Sequence, residues 1–157
     1  MTIAIDQTKL RRIIETVLAG ESLNRDQGTA LLQIAQLAAG ADETEQRVER
    51  ALLQALAQRI SSLTGVQFAE LIAIPPIEGF RARMSRFRAL AAVLQTRAAR
   101  ELGFALAFLI AISDLELQRA EHDTLEELQQ ALGVDHVRAT DLVVKLTDVI
   151  AESRQAA

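Results

Sequence analysis

The sequence predicts an all-α fold: a single-domain bundle of seven to eight helices, built as two related helical halves around a central apolar helix. Three observations carry this. Two prolines and seven glycines in 157 residues are too few for the many turns of an all-β chain. Apolar residues recur at helical spacing through most of the length. The sequence also matches itself when displaced by 72 residues, which lays residues 32–60 over 104–132. Identical pairs include Ala35/Ala107, Leu37/Leu109, Asp42/Asp114, Arg47/Arg119, Glu49/Glu121, Leu53/Leu125 and Leu56/Leu128. The repeated unit is an apolar helix, a loop entered through an Asp, and an amphipathic helix with a Glu seven residues after that Asp. Such self-similarity constrains architecture more tightly than composition does.

The first helix is expected over 8–20, with Leu10, Ile13, Ile14, Val17 and Leu18 as its apolar stripe and Gly20 as its stop. The second opens at Asn24, an N-cap residue with Gln27 three positions on. Leu31, Leu32, Ile34, Ala35, Leu37 and Ala38 make it apolar over most of its surface. The third is expected over 44–60, facing inward through Val48, Ala51, Leu52, Ala55, Leu56 and Ile60. A short fourth helix falls over 68–72 and ends before Pro75 and Pro76, because a residue preceding proline is pushed out of helical dihedrals. The fifth covers 79–94, with Phe80, Met84, Phe87, Leu90, Ala91 and Leu94 inward and arginines outward.

The boundary near Thr96 carries no clear signal. Residues 102–112 lack a polar face over three turns, which predicts a helix wrapped by others. The seventh helix covers 119–132 and stops at Gly133. The last starts from an N-cap at Asp135 and runs to 152, inward through Val137, Leu142, Val143, Leu146, Val149 and Ile150. The folded core is therefore 8–152, and 153–157 should fray.

A domain of this size buries roughly 70% of the surface its unfolded chain exposes. Half the residues are apolar, but the aromatics are five Phe with no Trp or Tyr, so the core must be Leu, Ile, Val and Ala. The absence of cysteine excludes disulfides, thiolate zinc sites and a Cys nucleophile. No signal peptide is recognisable, and the longest apolar run, 102–112, is too short to span a bilayer. The expectation is a cytoplasmic protein that is not integral to a membrane.

Catalytic machinery has little to stand on, so no enzyme is expected. The two histidines, His122 and His136, fall on an acid-rich amphipathic helix and at a helix start, positions that face solvent. Neither phosphate-loop glycine pattern nor Glu-x-x-His pair occurs. Two polar features remain. The acids Asp42 and Glu49, and Asp114, Glu116 and Glu121, sit at the two repeated helix-loop-helix corners. Oxygen ligands of this kind suit a divalent cation such as calcium or magnesium. The same residues equally suit helix capping and the positive end of a helix dipole. The second feature is a run of six arginines between Arg81 and Arg100 with no acid, in a chain whose net charge is −4. Such a face suits phosphate, an acidic protein or a membrane headgroup, and equally suits pairing with the protein's own acids. Nucleic acid is disfavoured by the acidic total and the lack of aromatics for stacking.

The corners, read as Ala111-Ile112-Ser113-Asp114-Leu115-Glu116 through Glu121 and as Ala39-Gly40-Ala41-Asp42 through Glu49, resemble the tellurite-resistance TerB-like family. Asp114, Glu116 and Glu121 match its acidic pattern in the second copy, and Asp42 and Glu49 in the first. The segment from Arg100 through Gly133 and Val134 to Asp135 is also similar to the family's closing part. The glycine that follows each Asp in the family is Glu43 in one copy and Leu115 in the other. The resemblance implies an all-helical, non-catalytic binding or adaptor protein of a stress or metal response. It also implies acidic residues that bind a divalent ion and a protein partner near the membrane. The alternative reading is a protein-interaction module that uses the arginine-rich helix 81–100 and has no metal site.

Overall fold

In the computed structural model, the described residues are 7–39, 47–65, 80–112 and 119–155, of which the side chains of 7, 39, 47–53, 80, 111, 119–124 and 150–155 are not described. Seven helices and no strand make up these residues: α1 (Gln7–Leu18), α2 (Arg25–Ala39), α3 (Arg47–Thr64), α4 (Phe80–Leu94), α5 (Arg97–Ala111), α6 (Arg119–Leu132) and α7 (His136–Gln155). The short helix expected over 68–72 lies outside them.

The duplication is written into the helix boundaries. Both ends of α2 and α5 differ by 72 residues, and so do the starts of α3 and α6. The caps repeat as well. Asn24 Oδ1 accepts from the Gln27 amide at 2.8 Å, and Thr96 Oγ1 accepts from the Ala99 amide at 3.2 Å. Each cap satisfies one of the amides a helix leaves without an internal partner at its start.

Packing follows the same rule. α2 lies on α5 at the centre. α1 packs on α3 and on α5, while α4 packs on α6 and on α2. Exchanging α1, α2 and α3 for α4, α5 and α6 maps α2·α3 onto α5·α6 and α3·α5 onto α2·α6. The exception is α4·α5, joined by a two-residue corner. This is the pattern of halves related by a two-fold, each lending its first helix to the other's central helix. α7 is an addition that packs on α1 and α5.

Every residue of α5 from Leu102 to Ile110 is buried, as its unbroken apolarity predicts for a central helix. α2 contributes Leu31, Leu32, Ile34 and Ala35 to the same core, and α1 contributes Leu10, Ile13 and Ile14. Two expectations are corrected. Val137 is 79% exposed. The inward stripe of α7 is Ala139, Leu142 and Leu146, and a residue two positions before Ala139 falls on the opposite side of a helix. α3 continues past residue 60 to Thr64, because Ser61 and Ser62 keep the helical bonding that Gly65, whose amide donates to Ser61 O, then closes.

The silent boundary at residue 96 is now defined. α4 ends at Leu94, Gln95 turns through a left-handed φ of 61°, and Thr96 caps α5. Carbonyls in the last turn of α4 are met by side chains of the partner helices. Gln27 Nε2 donates to Leu94 O at 2.7 Å, and Arg100 Nε donates to Ala91 O at 3.2 Å.

Candidate functional site

Asp42, Asp114 and Glu116 lie outside the described residues. Glu49 and Glu121 fall within α3 and α6, but their side chains are not described. His122 is in the same position.

The arginine-rich segment is described, and the structure sorts its six members. Arg83 was expected to point outward and is instead tied into the fold. It forms a two-pronged pair with Glu127 of α6, Nε to Oε2 and Nη2 to Oε1, both at 2.8 Å. Glu127 is buried there, so the pair fixes α4 on α6. A guanidinium fork matches a carboxylate in this geometry, which a lysine could not reproduce. Arg97 and Arg100 belong to the α4–α5 corner. Arg86 is half-buried, and its Nε has no hydrogen-bond partner among the described residues. Arg81 and Arg88 are exposed and form no ion pair among the described residues. They lie seven residues apart with Ser85 between them, on one face of α4. Ala82, Ala89 and Ala92 beside them are exposed too.

A second polar assembly sits where α5, the α6–α7 turn and α7 meet. Glu101 is 5% exposed. Its Oε1 accepts from Arg138 Nε at 2.9 Å and from Arg97 Nε at 3.2 Å, and its Oε2 accepts from Arg138 Nη2 at 3.1 Å. Arg138 continues to Asp141 Oδ2 at 2.6 Å, and Lys145 Nζ reaches the same oxygen at 3.1 Å. The hydrogen bond to Glu101 holds the Arg138 guanidinium above its ordinary pKa. The bond from Lys145, with the nearby positive charges, holds Asp141 below its ordinary value despite some desolvation. Two cavities flank this chain of charges, of about 360 Å³ on the side of Arg100 and Gly133 and about 350 Å³ on the side of Val17 and Glu21.

The local chain path positions the assembly. Gly133, at φ 70°, ends α6 in the left-handed turn that glycine adopts without steric cost. The Val134 amide then donates to Gln129 O and the Gly133 amide to Gln130 O. Asp135 Oδ1 accepts from the Arg138 amide at 2.8 Å, the N-cap expected there. The arginine that seizes Glu101 is thus delivered by a cap legible in the sequence. The pairing itself was not, because Glu101 stands just ahead of the apolar run and its partner lies 37 residues away.

Among the described residues, no group of three or more His, Cys, Asp and Glu could hold a metal ion, and no helix is long and apolar enough to cross a membrane. No protein-family model, curated protein or solved structure matches the chain.

Proposed function

We propose that the chain is a non-catalytic binding module that docks an acidic protein surface on the outer face of α4. The observation that carries this is the contrast within one helix. Arg83 is spent on Glu127, while Arg81 and Arg88 stand exposed, without an ion pair among the described residues, about 10 Å apart along the helix axis. Two uncompensated cations on a chain of net charge −4 form a local positive field, which steers an acidic partner. The state of the buried acids supports a binding role over a chemical one. Both Glu101 oxygens are occupied by guanidinium donors and Glu127 is held in its fork, so both carboxylates are committed to structural pairs. The setting that goes with this reading is the stress or metal response implied by the TerB-like resemblance.

Titration of a labelled glutamate-rich peptide, with anionic vesicles and duplex DNA as comparison probes, tests it. The peptide should bind, weaken steeply with salt, and lose affinity in Arg81→Glu/Arg88→Glu. Equal binding by the reversed-charge variant, or preference for DNA or vesicles, contradicts the reading.

A further inference from the structure

The two halves differ at one seam, and the difference opens a cavity. In the first half, the last turn of α3 sits directly on the first turn of α2. A Cβ placed on Gly28 would lie 2.5 Å from Thr64 Oγ1 and 2.9 Å from Thr64 Cβ, so glycine is required for this closure. The position 72 residues on is Arg100. There α6 stops at Leu132, four residues short of the point matching Thr64, and the chain turns through Gly133 into α7. The seam closed in the first half is, in the second, the cavity of about 360 Å³ that Arg97, Arg100, Glu101, Gly133, Asp135 and Arg138 line.

We propose that this cavity is a binding site for a small anion presenting carboxylate or phosphate oxygens. It stands apart from the outer face of α4 and does not depend on it. The hydrogen-bond inventory decides its polarity. Glu101 accepts three guanidinium bonds, and one Asp135 oxygen is spent on the α7 cap. Arg138 uses Nε, Nη1 and Nη2. Arg97 and Arg100 each commit Nε alone, at 3.2 Å, to Glu101 and to Ala91 O. Their terminal nitrogens form no other hydrogen bond among the described residues, and the Arg97 side chain is 78% exposed. The wall therefore has spare donors and few spare acceptors. Three arginines against Glu101 and Asp135 leave it net positive. The starts of α5 and α7 bring positive dipole ends to the wall and the ends of α4 and α6, at Gln95 and Leu132, bring negative ones, so the arginines set its sign. The volume is at the small end of ligand pockets, roughly 300–1,000 Å³. Two adjacent guanidinium groups suit the planar, two-pronged capture of such oxygens.

Backbone amide spectra of the whole chain, titrated with sodium phosphate and separately with sodium succinate at constant ionic strength set by chloride, test the proposal. Saturable shifts at Gly133, Val134 and His136 are expected with one or both anions, and none at Gly28 or Thr64. Shifts with phosphate alone identify a phosphoryl ligand, with succinate alone a carboxylate, and with both the shared oxygen chemistry. Arg97→Gln should weaken binding by about tenfold, while Arg138 still holds Glu101 and keeps the fold. Arg100→Gln is the second variant, with the same expected loss. No saturable shift, shifts equal to those from chloride, or unchanged affinity in both variants overturns the proposal.

Discussion

Arg138 grips Glu101 across 37 residues of chain, with Nε on Oε1 at 2.9 Å and Nη2 on Oε2 at 3.1 Å, and the carboxylate beneath is almost fully buried. Removing Arg138 leaves the buried carboxylate with the 3.2 Å bond from Arg97 alone. Arg138→Ala should therefore cost about 3 kcal/mol in urea unfolding, the low end for a broken buried pair. Replacing both, as in Glu101→Leu/Arg138→Met, should cost far less, because buried pairs return little net energy over apolar residues of similar volume. Equal losses in the single and double variants would show that packing, not charge, governs the site.

Arg83 and Glu127 form the second fork, between α4 and α6. Arg83→Lys removes the planar two-pronged geometry and keeps the charge. A loss of about 1–2 kcal/mol is expected, smaller than for Glu127→Ala, which removes both prongs of the fork from the half-buried guanidinium. Chemical denaturation of both variants checks the order. A stability effect here, without loss of peptide affinity, separates Arg83 from Arg81 and Arg88.

Gly28 should resist the substitution that usually helps a helix. Glycine to alanine inside a helix ordinarily stabilises by roughly 0.5–1 kcal/mol. The clash with Thr64 should reverse the sign and cost about 1–3 kcal/mol. Thr64→Gly, which removes the clashing atoms, should recover part of that loss in the double variant. A stabilised Gly28→Ala would mean that the α2–α3 seam is looser than the geometry shows.

Gln27 serves two helices at once. Its Oε1 accepts from the Asn24 amide at 2.9 Å and its Nε2 donates to Leu94 O at 2.7 Å. Gln27→Ala strips the buried carbonyl of this side-chain donor and the amide of its acceptor, at about 1–3 kcal/mol. Gln27→Glu keeps the acceptor for Asn24 but turns an oxygen toward Leu94 O. At neutral pH it should be at least as destabilising, a comparison that thermal unfolding of the two variants makes directly.

Asp141 gives a pH signature. The hydrogen bond from Lys145 and the neighbouring charges hold its carboxyl below the ordinary 3.8. Because the folded value lies below the unfolded one, the contribution is present above that ordinary value and is lost as pH falls through the folded value. Nothing should change at this group near neutrality. Carbon-detected titration should place Asp141 below 3.8, and Lys145→Gln should move it upward. An unmoved midpoint in the variant would remove Lys145 as the cause.

What the sequence made legible is what depends on neighbours along the chain. The caps at Asn24 and Asp135, the stop at Gly133 and the apolar helix through Leu109 follow from residues within one or two turns. The 72-residue self-match, which covered only 32–60 and 104–132, extends in the structure to the caps Asn24 and Thr96 and to the packing of α1 and α4. The α4–α5 corner stayed silent because Gln95 takes the left-handed turn with a residue that does not announce one. The pairs of Arg83 with Glu127 and Arg138 with Glu101 depend on partners 44 and 37 residues away, which periodicity cannot reach. The need for glycine at position 28 comes from a helix end at Thr64, far along the chain. The five corner acids remain a sequence argument, since three lie outside the described residues and two have undescribed side chains.

The division of the arginines into fastened and free is most directly read from their Nε–Hε signals during titration with a glutamate-rich peptide. Before peptide is added, Arg83, Arg100 and Arg138 should give resolved, slowly exchanging signals, and Arg81 and Arg88 should exchange rapidly. The peptide should shift and slow Arg81 and Arg88 while leaving Arg83 and Arg138 unmoved. Peptide binding that shifts Arg83 or Arg138, with Arg81 and Arg88 unchanged, would contradict docking on the outer face of α4.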